Sequence, residues 1–499
     1  MVGNTEHGMS RHVFYGSQVG ARLNSDIISG GGTDDTDALQ AVLDKATSLG
    51  SVHLIIDGPA LVRGLDVHSN TTIECLNPSC GFFLADESNR PILRNAHPSR
   101  QERHDKNIRI LGGTYNHNYH GQIRFTEDHQ LVVALGFFGV EQLTIRDITI
   151  RNQRTYAFHA ANWFRVNMEN VAIDLPDRVQ AQNQDGIHFQ GPGQFLTMRN
   201  IQGCAWDDFI ALNADDGNTA YDASGKLVNN EGAGPYVGFG PITDVLIDGV
   251  LIDDAAQGIR LLSRASRLDR VVIRNVLGTY RSFGFYINTW YEGAGNFGNI
   301  VIDTVDLRQS KPNYTYRPPF LFTLGGRMEN LTLRNISHHH PTDNRSLVVV
   351  EQDADISILT LDGLHIFESH RESSDMTAIS VDGKVDRLIV RNAHICRAPD
   401  VPRKGCLVGT AKGGHPHGIR HLFLNGISVN RMDSLLRHCA GEIGTIQVND
   451  VACAEMADAI ISVVDGNVEE LRADATYGAK LLSLHGNGKV AMLAGILAP

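Results

Sequence analysis

Asp185 lies in the run NQDGIHFQ, Asn183 to Gln190, and Asp207 and Asp208 lie in CAWDDFIAL, Cys204 to Leu212. The separations are 22 and 23 residues. Carboxyl groups gathered on one surface repel when ionised, so at least one is expected to keep its proton beside an ionised neighbour. That is what glycosidic cleavage needs: one group protonates the leaving oxygen and another activates water. Arg260, in GIRLLSR, follows Asp207 by 53 residues. A guanidinium there can keep one Asp ionised or grip a sugar hydroxyl or carboxylate. An Asp before Gly is also an ordinary turn, and a single Asp is more often structural than chemical. The reading rests on the coincidence of three carboxylates and a following arginine.

The elements that must position these residues show in a recurring phrase. Branched apolar residues are followed by a charged residue, then Asn, Asp or Gly, then another apolar residue. Examples are LTIRDITI ending at Ile150, VVIRNV ending at Val276 and LTLDGL ending at Leu364. The turn residues of the copies are Asp147, Asn170, Asn200, Gly249, Asn275, Thr304, Asn335, Gly363, Asn392, Gly426 and Asp450. Their intervals run from 23 to 34 residues, except for 49 between Asn200 and Gly249, which fits two turns or one turn with a long loop. Alternation with period two marks strands with one buried face. The Asn, Asp or Gly tolerates positive φ. Helical repeats of this length would need apolar spacing of three and four, which is absent.

The chain is therefore read as all-β: a single-stranded right-handed parallel β-helix, with strands of successive coils about 4.8 Å apart. Residues one coil apart stack, which places Asp185 beside Asp207 and Asp208. Arg260 falls two coils beyond, one of them carrying a loop. Residues 1–50 form an N-terminal segment with a capping helix, and 51–499 the β-helix, continuous with its cap. In GGGTDDTDALQAVLDKATSLG, Thr36 or Asp35 caps a helix whose stripe is Ala38, Leu39, Val42, Leu43 and Ala46, and Gly50 ends it.

The formal net charge of −12 argues against nucleic acid as a partner, and no run of 18 apolar residues suggests a membrane span. The first residues lack the apolar core of a leader, so a cytoplasmic location is expected, or a secreted one if a leader has been removed. Seven scattered cysteines form no zinc pattern and are read as reduced thiols. No metal or other cofactor is expected. His338, His339 and His340 read as a solvated corner, since adjacent strand residues point to opposite faces.

Loops leaving the coils at its corners build binding faces. Asp215–Pro241 is polar and Gly-rich, and Asn288–Gly298 carries Trp290 and Glu292. A shorter loop, Gln309–Pro319, holds Tyr314 and Tyr316. Flat rings there can stack on sugar faces or simply cover the coil. Trp206, Trp290 and Glu292 join Asn183, His188, Arg260 and Arg264 as candidate substrate contacts.

The ordered set NQDG, WDD and GIRLL resembles the NTDG, GDD and RIK motifs of glycoside hydrolase family 28. Those are the polygalacturonases and their relatives, within the pectate-lyase-like β-helix superfamily. GGTDDTDALQAVLDKA is also similar to the N-terminal cap of many bacterial members. The resemblance implies an inverting, metal-independent hydrolase. In it, Asp207 or Asp208 would be the general acid, and Asp185 with the remaining Asp would position the water. It matches Asn183 to the family's Asn and Arg260 to the Arg of RIK. The sequence departs where the RIK lysine is Leu262, and where the family's GHG histidine has no counterpart in 229–240. Those residues help hold a galacturonate carboxylate, so a neutral or differently decorated sugar is expected, with Arg264 and His188 as partial replacements.

The expected function is thus hydrolysis of a glycosidic bond in an oligo- or polysaccharide, by a protein that can also form a homo-oligomer. Three readings compete. A polysaccharide lyase would need an acidic sugar and a basic residue, for which only Arg260, Arg264 and Arg281 stand out. An intramolecular glycosyl- or fructosyltransferase would release cyclised product. A non-catalytic carbohydrate-binding β-helix would not depend on Asp207 and Asp208.

Overall fold

The computed structural model describes residues 12–127, 130–176, 183–215, 220–221, 227–229, 234–290, 292–310, 319–339, 345–369, 375–410 and 418–494. Tyr314, Tyr316, His340 and most of the Gly-rich run after Asp215 lie outside them. Contacts divide the chain into two compact units: Met1–Gln202 with Asn218–Gly238, and Gly203–Gly217 with Phe239–Pro499. The architecture is the right-handed parallel β-helix.

In the first unit, strand Leu135–Arg151 pairs in parallel with Phe158–Asp174, from Leu135↔Phe158 to Arg151↔Asp174. The offset is one coil of 23 residues. The second unit repeats the pattern many times. One column runs Ile247, Ile273, Ile302, Leu333, Leu361, Val390, Leu424 and Val448 in register, all buried. Each coil alone would leave such a row in water; stacking the coils removes it.

Every turn residue read from the repeat has positive φ, from 51° at Asn335 to 81° at Gly363. Asn suits this backbone because its short amide bonds locally and tolerates the left-handed region. It does more here. The Asn275 amide donates to Asp248 Oδ1 at 2.7 Å, Asn335 to Asp303 at 2.8 Å, and Asn392 to Asp362 at 2.7 Å. In the first unit Asn170 donates to Asp147 at 2.7 Å. Over six successive turns of the second unit, from Gly249 to Asn392, the residue before the turn alternates in charge: Asp248, Arg274, Asp303, Arg334, Asp362, Arg391. Arg274 pairs with Asp248 at 2.7 Å and Arg391 with Asp362 at 2.9 Å. Like charges stacked one strand apart would repel, so the alternation favours the native register.

The cap helix is broken in two, Thr36–Leu43 and Ala46–Leu49, with Gly50 closing it at φ 80°. Leu39, Val42, Leu43 and Ala46 are buried, and Ala38 is half-buried. Asp35 occupies the N-cap position, but its carboxylate accepts the N–H groups of Arg22 (2.5 Å) and Leu23 (2.9 Å). Asp34 instead accepts the N–H and hydroxyl of Thr36. His338 and His339 end the strand Arg327–His339, pairing with Ile366 and Phe367, so they lie on a strand rather than at a corner. All seven cysteines are free, and burial pushes the Cys75 thiol up to about 12. No described helix is long and apolar enough to cross a membrane.

Candidate active site

Asn183, Asp185 and His188 belong to the first unit. Asp185 precedes the strand Ile187–Gly203 and is buried. Its carbonyl accepts the Ala157 N–H at 3.0 Å and the Gln153 side-chain amide at 3.2 Å, which ties it to the previous coil. Its carboxylate lies 2.8 Å from His188 Nδ1, and both side chains are almost fully buried. The His188 ring stacks on Tyr156, with centroids 4.2 Å apart and planes 5° from parallel. His159 meets both rings edge-on. Burial takes the His159 imidazole down to about 3, so it is neutral at ordinary pH. Asn183 has φ 56° and accepts a hydrogen bond from Arg124 on its side-chain oxygen. His188, a candidate substrate contact by sequence, is therefore placed as the partner of Asp185.

Trp206, Asp207, Asp208, Arg260, Arg264, Trp290 and Glu292 belong to the second unit. Three parallel strands frame them: Asp208–Asn213 carries Asp208, Gln257–Leu262 carries Arg260, and Phe283–Asn288 lies beside the second. Asp208 pairs with Gln257, and Ala211 with Arg260, which pairs in turn with Tyr286. The expectation of two coils between Asp207 and Arg260 is thus corrected. They sit on adjacent strands, and the stretch 214–241 lengthens the single coil between them.

Asp208 opens its strand and is buried, while Asp207 just before it is half-buried. The Asp207 carbonyl accepts the Gln257 N–H at 3.3 Å. Arg260 is 3% exposed. Its guanidinium lies over the Tyr286 ring at 4.2 Å and near the Trp290 ring at 5.2 Å. It donates to Gln257 Oε1 at 3.4 Å, pointing back along its strand toward the residue paired with Asp208. Among the described residues it forms no salt bridge. Two aromatic faces supply much of its compensation for leaving water.

Arg281, noticed in sequence only as a possible lyase base, holds the approach to the Asp pair. Its side chain is 1% exposed. The guanidinium lies 3.8 Å from the centre of the Trp206 ring and donates to the carbonyls of Ala205 (3.0 Å) and Trp206. It also stands 3.6 Å from the Asp254 carboxylate. The Asp254 carbonyl accepts the Ala205 N–H at 3.2 Å, and its carboxylate accepts the Ser310 hydroxyl at 2.6 Å. The backbone leading into Asp207 is thereby fixed from two later coils. Trp206, a candidate sugar platform, already carries a cation on its ring.

Arg264 is placed by Asp215, whose carboxylate accepts three successive N–H groups: Arg264 (2.5 Å), Ala265 (2.9 Å) and Ser266 (2.6 Å). Arg264 Nε donates to the Glu292 carbonyl at 2.8 Å, so the two meet through backbone rather than as an ion pair. Glu292 is exposed and Trp290 half-buried. Sequence reasoning missed Gln257, Tyr286, Asp254 and Asp215. The first two reveal themselves only through register, the others only through the hydrogen bonds they accept. Among the described residues, no group of three or more His, Cys, Asp or Glu side chains is arranged to hold a metal ion.

No family model matches the chain, and no curated protein sequence matches it. Solved structures do. A double mutant of the tailspike protein of E. coli bacteriophage HK620 is 12% identical with a TM-score of 0.55, covering 93% of this chain and 75% of that one. The pre-mature gene product 12 of bacteriophage phi29 is 12% identical with a TM-score of 0.53, covering 96% and 73%. An exopolygalacturonase from Thermotoga maritima is 14% identical with a TM-score of 0.42, covering 97% and 91%. At these identities what is shared is the fold.

Proposed function

We propose that the protein is a glycoside hydrolase, a divergent relative of family 28, that cleaves an O-glycosidic bond in an oligo- or polysaccharide with inversion. One observation carries the reading. The adjacent pair Asp207–Asp208 stands at the head of a strand whose approach is fixed by a buried guanidinium, beside a second buried guanidinium under two aromatic rings. Carboxyl groups carried on a backbone fixed in this way suit acid–base work, which depends on placement before strength. In this reading one of the two protonates the leaving oxygen and the other helps activate water. Asp185 is the third carboxylate, by its spacing in the sequence. Its partner His188 would favour the ionised form of a base. Leu262 stands where a lysine would grip a galacturonate, so plain polygalacturonate is not the expected substrate.

The test is product release from a broad oligosaccharide panel by the native chain, Asp207→Asn and Asp208→Asn. Turnover is expected to fall at least about 10²-fold in one or both variants, the usual worth of acid–base catalysis, with folding unchanged. Proton NMR of the first product should show the anomer opposite to the substrate. Full turnover in both variants would remove the assignment.

A further inference from the structure

A second surface lies on the first unit, midway along the strand Ile187–Gly203 that follows Asp185. Phe195 is 44% exposed. Its ring meets Phe164 edge-on, with centroids 5.5 Å apart. Two guanidinium groups lie over Phe164: Arg165 at 4.9 Å and Arg103 at 5.5 Å. Phe164 is therefore already covered, and Phe195 is the open ring. Neither arginine is in a salt bridge with a described residue; Glu141, paired in register with Phe164, acts on Arg103 only through its field.

This corner needs positive φ in each coil, as at Gln142 (59°), Arg165 (57°) and Phe195 (62°). Asn or Gly would meet that demand at little cost, whereas a bulky aromatic is strained there. Phe195 is thus doubly unfavourable for stability, in its backbone and in its exposed ring. Strain of this kind is a reason to look for a ligand. An apolar ring face beside two fork-shaped cationic donors matches a sugar ring that bears an acidic group.

We infer that Phe195, Arg165 and Arg103 form a binding surface for an acidic polysaccharide. Phe195 stacks on a sugar face, and the guanidinium groups bond its acidic substituent. The inference stands on this surface alone and does not require hydrolysis.

Affinity electrophoresis tests it with the Asp208→Asn chain, so that no polymer is cut. Native gels contain alginate, dextran sulfate or plain dextran. The protein is expected to be retarded by alginate and not by dextran. Arg165→Ala should weaken retardation about tenfold, the worth of one charge-assisted hydrogen bond. Phe195→Asn, which suits the positive φ and so preserves the fold, should abolish it. Retardation by dextran sulfate as well as alginate supports recognition of the charge on a sugar backbone. No retardation by alginate, equal retardation by dextran, or equal retardation of Phe195→Asn and its parent would overturn the proposal. So would equal retardation by a gel containing DNA. Loss of binding in this background, with turnover intact when Phe195→Asn is made alone in the native chain, separates this surface from the hydrolase reading.

Discussion

Arg281→Met removes a buried cation while keeping an unbranched apolar stem. The carbonyls of Ala205 and Trp206 each lose a charged donor, worth about 1.5–3 kcal/mol apiece. The guanidinium over Trp206 is worth up to about 2 kcal/mol where water is excluded. One group makes all these contacts, so the values overlap and do not sum. Asp254, 12% exposed, is left with the Ser310 hydroxyl. Removing one partner of a buried pair costs about 3–5 kcal/mol, and that is the expected loss. Asp254→Asn in the same chain removes the stranded charge and should return about 1–2 kcal/mol. Urea unfolding measures the stability, and hydrogen exchange of the Ala205–Asp208 amides reports whether the approach to the Asp pair has loosened. Arg281→Lys keeps the charge but not the fork, and should fall between the two. A loss under about 1 kcal/mol, or unchanged exchange at Ala205–Asp208, would refute the claim that Arg281 fixes this backbone.

Two further outcomes follow from the coils. Asn335→Gly keeps the positive φ and loses only the hydrogen bond to Asp303, so it should cost about 1 kcal/mol; Asn335→Ala loses both and should cost about 1–2 kcal/mol more by thermal unfolding. Equal costs would show that φ is not what Asn supplies. His117 and His159, both in the first unit, are held neutral by burial, each with a pKa near 3 against 6.5 unfolded. Below 6.5 the unfolded chain binds protons that the fold refuses. Stability is therefore complete above pH 6.5 and falls toward pH 3, by about 1.4 kcal/mol per pH unit per histidine. His159→Phe should remove about half of that slope between pH 6 and pH 4 in urea titrations, and an unchanged slope would place the pH sensitivity elsewhere.

The eleven turn residues were legible because one physical demand, positive φ at a corner, recurs in every coil and few residues meet it. The alternating Asp and Arg before those turns were equally present in the sequence. They mean nothing until strand register puts one coil's charge over the next. Arg281 was invisible as a holder of the Asp pair for a different reason. Its partners are mainly backbone carbonyls, which carry no residue identity. Gln257 and Tyr286 became relevant only when Asp208 and Arg260 received strand partners. Side-chain chemistry shows in a sequence; the direction in which a buried guanidinium turns does not.

Between Asp207 and Arg260 the coil period misled, and the error has a physical origin. Strands Asp208–Asn213 and Gln257–Leu262 pair residue by residue although 214–241 intervenes. Coil stacking is fixed by strand contacts, whereas the length of chain between strands is nearly free. Lengthening a corner from a few residues to 28 is roughly three doublings, and each costs about 0.6 kcal/mol in closure entropy. That is small against the apolar surface which a coil buries. A solenoid can therefore accept a long excursion beside its chemistry without disturbing the carboxylates it carries. The place where the repeat loses its rhythm is then itself a pointer to the candidate site: 49 residues separate the turns at Asn200 and Gly249, and Asp207 and Asp208 lie between them.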